Sequence, residues 1–346
     1  MKIIFDAYGG DDSLETVKGA ILTVKAISNL TVILSGKQEE LTRQIEELKK
    51  QKEFANFDES RLEILNATEV ITNDDKPTEA IRTKKDSSLV KALDKLKLDE
   101  EVLAVVSAGS TGAVLSGGFM KIGRLKGVSR PALCPILPTK KGTPVMLMDS
   151  GANMDCKQQN LVHFAIIAKQ YYESMFGVEN PIIALLSVGV ESEKGNELVK
   201  TTYPLFEKLP INFVGNMEAR DALSGDYDII ITDGFAGNVL LKSYEGAIST
   251  IVGLLKQTLK TGGLGTKIGG LLIKKPLKKM LKTFDYSNYG GSPFLGIKKI
   301  VIKAHGNSKA KSFVECAKQA IKLSESKCYE KIEQSLASLN IDEIKE

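Results

Sequence analysis

The chain has 346 residues, 42% hydrophobic and 26% charged, with a formal net charge of only +4. That is the profile of a globular protein with a large core, and it excludes any general affinity for nucleic acid. Four cysteines (Cys134, Cys156, Cys316, Cys328) lack CxxC pairing, and two histidines (His163, His305) stand too far apart for a zinc site. The thiols therefore read as reduced groups of a cytoplasmic protein, and no metal or cofactor is expected.

In chain order, short apolar runs alternate with amphipathic stretches. "KIIFDA" (2–7) follows Met1 directly, so no secretory leader is expected. Helix "LETVKGAILTVKAI" (14–27), strand "TVILSG" (31–36), helix "EELTRQIEELKKQ" (39–51) and strand "RLEIL" (61–65) come next. Further strands are "VLAVVSA" (102–108), "ALCPILP" (132–138) and "PVMLMDS" (144–150), before helix "NLVHFAIIAKQYYESMF" (160–176). "PIIALLSV" (181–188), "INFVG" (211–215), "DIIITDG" (228–234) and "KIVIKA" (299–304) complete the strands. Near-continuous apolar runs of 4–8 residues suit parallel strands buried on both faces. The alternation predicts a three-layer α/β/α, doubly wound, mostly parallel sheet. A single catalytic body spanning 1–346 is expected, with a helical protrusion at about 250–290 and a helical tail at 326–346. No apolar run is long enough to span a membrane.

Ligands of such sheets sit beyond the carboxyl ends of the strands. Six loops there are rich in glycine and polar residues: "DAYGGDD" from Asp6, "SAGSTGA" from Ser107, "DSGANMDCK" from Asp149, "SVGVESEKGN" from Ser187, "GNMEARD" from Gly215 and "TDGFAGN" from Thr232. Glycine lets backbone approach an anion, while Ser, Thr, Asn and helix N-termini donate hydrogen bonds, so together the loops are equipment for phosphate. Each loop alone could be a turn with a helix cap. None is a Walker motif, and no GxGxxG loop follows the first strand, which argues against a nicotinamide dehydrogenase.

The chain resembles the bacterial phosphate acyltransferases of phospholipid synthesis, the PlsX family. The resemblance rests on "DAYGGD", "RTKKDSS", "SAGSTGA", "SGANMDCK", "EKGNELVK", "GNMEARD", "DGFAGNVLLKSYEG" and "GGSPFLGIKKIVIKAHG", in family order and spacing, over roughly residues 1 to 325. Tyr8, Ser110 and Ser150 stand where the family commonly has Met, Asn and Val. The resemblance implies transfer of an acyl group from acyl-[acyl carrier protein] to inorganic phosphate. It also implies a homodimer whose fold is related to phosphotransacetylases and the isopropylmalate dehydrogenase group. A CoA-dependent phosphotransacetylase is the alternative; a non-enzymatic membrane scaffold would leave the polar loops without purpose.

Phosphate at neutral pH needs orientation more than a strong base, and the thioester carbonyl needs donors where negative charge develops. Lys194 is expected to compensate charge, and Asn238 to donate to the oxyanion. Phosphate and substrate contacts are expected from Asp6, Gly9, Gly10, Ser107, Gly109, Ser110, Thr111 and Gly112. Further contacts are expected from Asn153, Lys157, Asn196, Asn216, Asp233, Gly237 and His305. Cys156 could be a nucleophile, though a free cysteine is more often a small buried hydrophobe, and His163 reads as a satisfied core residue. The acidic carrier protein calls for a basic patch: Arg82, Lys84 and Lys85, or Arg124 and Lys126.

One stretch stands apart. Lys267 to Lys282 carries six lysines and no acid. From Ile273, the residues Leu277, Met280, Leu281 and Phe284 fall on one helical face, opposite Lys274, Lys275, Lys278, Lys279 and Lys282. Pro276 then lies in the first turn, and Gly262, Gly263, Gly265, Gly269 and Gly270 form a hinge before it. That pattern predicts peripheral binding to anionic lipid, the rival reading being a lysine-rich helix that packs in a dimer or the core; the resemblance implies a membrane-bound glycerol-3-phosphate acyltransferase that would consume the product.

Overall fold

The computed structural model describes residues 1–283 and 289–339, with side chains for all but 279–283. The strands are β1 (Lys2–Asp6), β2 (Thr31–Gly36), β3 (Leu62–Asn66), β4 (Val102–Ser107), β5 (Ala132–Leu133), β6 (Ile136–Pro138), β7 (Pro144–Met148), β8 (Ile182–Ser187), β9 (Asn212–Glu218), β10 (Ile229–Ile231), β11 (Ser292–Leu295) and β12 (Ile300–Lys303). The α-helices are α1 (Ser13–Ala26), α2 (Gln38–Lys49), α3 (Pro77–Thr83), α4 (Ser88–Leu98), α5 (Thr111–Gly117), α6 (Gln158–Phe176), α7 (Glu197–Glu207), α8 (Gly234–Thr261), α9 (Leu264–Thr283), α10 (Ala310–Glu325) and α11 (Cys328–Ala337).

Apolar runs form strands because both faces of each are covered, and they assemble into two sheets. One has the order β3-β2-β1-β4-β12-β11-β5, the other β6-β7-β10-β8-β9. All pairings are parallel except those made by β11 and β6, so the α/β, mostly parallel architecture is as expected. The run "ALCPILP" is not one strand: its first half closes the first sheet as β5 and its second half opens the other as β6. Pro135 separates them, a residue with no N–H to donate to a ladder. β11, "SPFL", was not expected, because a glycine pair and a proline mask it.

A continuous core joins the sheets. Phe5, Phe313, Phe164, Tyr171 and Ile183 are buried in one cluster shared by β1, α10, α6 and β8. α4 and α5 cover the opposite face of the first sheet through Val90, Leu93 and Val114. A smaller cluster around Leu147, Ile230 and Leu240 lies under the root of α8. His163 is buried in α6, but its Nδ1 has no hydrogen-bond partner among the described residues. It is a core residue without being a satisfied one.

α8 leaves the body early. Its buried residues are Gly234, Gly237 and Leu240, and it then runs into an exposed region where α9 folds back against it. Here the structure differs from the expected pattern. Pro276 lies inside α9, and Gly265, Gly269 and Gly270 are helical residues of it rather than a hinge. Gly270 is where Leu259 of α8 packs, since a Cβ there would lie 3.1 Å from the Leu259 side chain. Phe284 lies outside the described residues, as do the side chains of Met280 and Leu281. Of the tail, α11 packs on α6, and residues 340–346 are outside the described residues.

Candidate active site

Parallel register brings three strand ends side by side: Asp6 of β1 aligns with Ser107 of β4, which aligns with Lys303 of β12. The buried Asp6 carboxylate accepts the hydroxyls of Ser107 and Ser88, each at 2.6 Å. Burial pushes its pKa up, against these bonds and the N–H groups of Tyr8 and Gly9. Its oxygens thus tie the loops after β1 and β4 together. Gly9 is required there, because a Cβ would sit 2.6 Å from both Asp6 Oδ2 and the Gly109 nitrogen. Gly109 N–H donates to Ser107 Oγ at 3.1 Å, and Ser110 caps α5 through the Ala113 N–H. Gly10 backs onto Ala108 and the Gly306 carbonyl, and Gly112 onto Pro77 of α3. The loops form one knit surface.

The second sheet has its own organiser. Buried Asp149 accepts the N–H groups of Leu133, Ser150 and Ala152 on Oδ1, and the N–H and amide of Asn153 on Oδ2. The Asn153 amide also donates to the Pro131 carbonyl at 2.8 Å, so it braces the loop rather than facing solvent. Asp233 caps α8 at the Ala236 N–H and Asn196 caps α7 at the Val199 N–H. Asn216 donates to the Glu191 carbonyl, while its Oδ1 is buried without a partner among the described residues. Lys157 and Lys194 are exposed, and neither lines the cleft described next.

Between the sheets, where the chain crosses from β5 to β6, lies a cleft of about 640 Å³. Thr111, Ser150, Asn238, Lys242, Lys303 and His305 are among its polar lining. Its apolar side is built from Leu137, Leu223, Leu241, Tyr244, Ile248 and Val252. Thr111, Asn238 and His305 are among the expected site residues. Lys303, Lys242 and Glu245 were not foreseen, yet all three omissions had a signal. Lys242 and Glu245 follow Asn238 at helical spacing, i+4 and i+7, and Lys303 precedes His305 by two at the end of β12.

The charged groups of this lining are not equivalent. Glu245 accepts from Lys242 at 2.7 Å and meets His305 Nε2 at 3.1 Å. The His305 hydrogen bond, followed by Lys242, holds the Glu245 carboxyl at about 2. Lys303 instead bonds the backbone carbonyls of Ala108 and Ala304. Cys156 points its thiol at the Asn153 carbonyl, 3.6 Å away, and burial followed by Asp149 pushes it up to about 12. Among the described residues no three His, Cys, Asp or Glu side chains gather as a metal requires. A lining that combines cations and hydrogen-bond donors with apolar side chains can hold a small anion beside a long aliphatic chain.

The two basic segments are also differently placed. Lys84 is committed to Asp75 at 2.6 Å, leaving Arg82 and Lys85 exposed. Arg124 lies over the Phe119 ring at 5.5 Å and donates to the Ser129 carbonyl; Lys126 is exposed. Among the described residues no helix is long and apolar enough to cross a membrane.

Comparison with known proteins agrees with this chemistry. The profile of the family described as "Fatty acid synthesis protein" matches residues 1–331. The phosphate acyltransferase of Clostridium acetobutylicum is 48% identical over 341 residues, covering 98% of this chain and 100% of that one. That of Clostridioides difficile is 45% identical, covering 98% and 97%. Among solved structures, a phosphotransacetylase from Streptococcus pyogenes superposes with a TM-score of 0.58 at 18% identity, over 94% of each chain. A branched-chain phosphotransacylase from Enterococcus faecalis gives 0.56 at 15%, over 93% and 98%. Those two share the fold. The near-complete match to the profile and to the clostridial enzymes places this chain in the fatty acid synthesis protein family, as a phosphate acyltransferase.

Proposed function

We propose that the enzyme takes its acyl group from acyl-[acyl carrier protein] and passes it directly to inorganic phosphate, supplying acyl phosphate to phospholipid synthesis. The observation that carries this reading is the mixed lining of the cleft, which offers Lys242, Lys303 and His305 to phosphate and leucine, isoleucine, valine and tyrosine side chains to the chain of a long acyl group. A phosphate oxygen attacks the thioester carbonyl carbon, and the tetrahedral intermediate collapses with cleavage of the C–S bond. The carrier leaves as thiolate and takes a proton from solvent. Asn238 donates to the developing oxyanion in this reading, which its half-buried position at the root of α8 beside Gly151 supports. Direct attack is supported by Cys156, whose thiol is held neutral and engaged with a carbonyl.

For the acidic carrier protein, the patch at Arg82 and Lys85 is the better placed of the two. It ends α3, whose Pro77 packs on Gly112 in the first turn after the Ser107 loop. Work in the cytoplasm at the membrane surface is supported by α9, where Ile268, Leu271, Leu272 and Ile273 are about half to three-quarters exposed beside exposed Lys274 and Lys278. The exposed Ile251 and Leu254 on α8 suit a second copy of the chain. The deciding experiment incubates the enzyme with phosphate and either long-chain acyl-carrier protein or acyl-CoA, trapping acyl phosphate with hydroxylamine. Product from the carrier protein alone is expected; product from acyl-CoA alone would replace this reading with a CoA-dependent one.

A further inference from the structure

The cleft contains a cation in an unusual position. Lys303 ends β12 in register with Ser107, directly beside the loop that carries Gly109, Ser110 and Thr111. Its ammonium reaches the carbonyls of Ala108, at 3.4 Å, and Ala304. An ammonium has three donors, so one remains, and the residue lines the cleft. Lys242 also lines the cleft but is neutralised by Glu245. Lys303 makes no ion pair among the described residues. A largely buried charge without a counter-ion is costly to maintain, and such an arrangement persists where an anion is to arrive.

We propose that Lys303 is the residue that binds the attacking phosphate, giving its third N–H to a phosphate oxygen held beside the Gly109–Thr111 loop. This rests on the acyl-transfer reading above for its catalytic meaning, but binding of inorganic phosphate does not. Burial, with Lys242 next, draws the Lys303 pKa down to about 8, and a bound dianion would restore it. Lys303 would thus compensate charge inside the cleft, whereas Lys194 is exposed and outside the cleft lining.

Two measurements test this. In the first, phosphate is titrated at saturating acyl donor for wild type, Lys303→Met, Lys303→Arg and Lys194→Ala. Loss of a charge-assisted hydrogen bond predicts a rise in phosphate KM of roughly ten- to a hundred-fold in Lys303→Met, with partial recovery in Lys303→Arg. The KM for acyl donor should stay within about threefold. In the second, wild type is carbamylated with cyanate with and without inorganic phosphate, and labelling at Lys303 is read by mass spectrometry. Phosphate should protect it. An unchanged phosphate KM in both Lys303 variants, or labelling indifferent to phosphate, overturns the proposal, as does a large effect of Lys194→Ala alone. Should wild type form no acyl phosphate at all, the acyl-transfer reading fails, and the labelling result still decides phosphate binding. If Lys303→Met does not fold, Lys303→Arg and the labelling carry the test.

Discussion

Gly237 sits in the first turn of α8 against the end of β7, and replacing it by alanine is the sharpest probe of the site. A Cβ at Gly237 would lie 1.9 Å from the Asp149 carbonyl oxygen and 2.9 Å from Thr232 Cγ2. A comfortable C···O contact is about 3.3 Å, so helix and strand must part by roughly 1.4 Å. The same turn carries Asn238, and the next turns Lys242 and Glu245, so the displacement passes into the cleft. A misplacement of about 1 Å costs on the order of a hundredfold in rate, and overpacking costs about 1–3 kcal/mol of stability. Gly246 is the internal control. It lies on the same helix with nothing within 4 Å of its added Cβ, so alanine there should stabilise by about 0.5–1 kcal/mol and leave turnover intact. Urea unfolding and initial rates of acyl phosphate formation, measured on both variants, decide the matter. Gly237→Ala retaining more than a third of wild-type turnover, or Gly246→Ala losing as much as Gly237→Ala, would show that the packing at the root of α8 does not set the site.

Because Lys303 is drawn down to about 8 by burial and Lys242, against Cys316, Asp11 and Asp6, it loses its charge as pH rises through 8. With Glu245 ionised throughout and the His305 contact nearby, phosphate KM in wild type should climb about tenfold per pH unit above that point. Lys303→Arg, which stays charged, should flatten the climb. On α9, Leu271→Glu with Leu272→Glu, both highly exposed in wild type, should lower binding to vesicles containing anionic lipid by at least tenfold. Flotation checks this, and soluble turnover should be unchanged; loss of turnover with binding intact would make the residues structural.

Strands were legible because burial on both faces leaves a continuous apolar signature, and ten runs all hold strands. The division into two sheets was not, since "ALCPILP" carries the same signature on both sides of Pro135 and only pairing partners distinguish them. The polar loops were legible as loops except "GNMEARD", whose Gly215–Glu218 continue β9 and whose Ala219–Asp221 form a single 3-10 turn. What their residues face was not: Asp6, Asp149 and Asn153 are spent on internal hydrogen bonds that no sequence pattern records. Lys303 escaped because it ends an apolar strand, where a lysine reads as a boundary. Pro276 and the glycines of α9 misled because breakers in sequence can be absorbed where a neighbouring helix needs room, as Leu259 does against Gly270.

α8 imposes a distance on whatever the enzyme makes. From Asn238 to Thr261 the axis runs roughly 35 Å at 1.5 Å per residue. Leu241, Tyr244, Ile248 and Val252 form the wall of the cleft along one face of that helix, a track of roughly 16 Å. If the far end of the helix hairpin seats on a bilayer, the headgroup of a product still has to travel about a third of the length of α8, roughly 14 Å, beyond that track. Departure is therefore a separate journey from synthesis, and its speed depends on residues of the outer helix that never meet the reacting atoms.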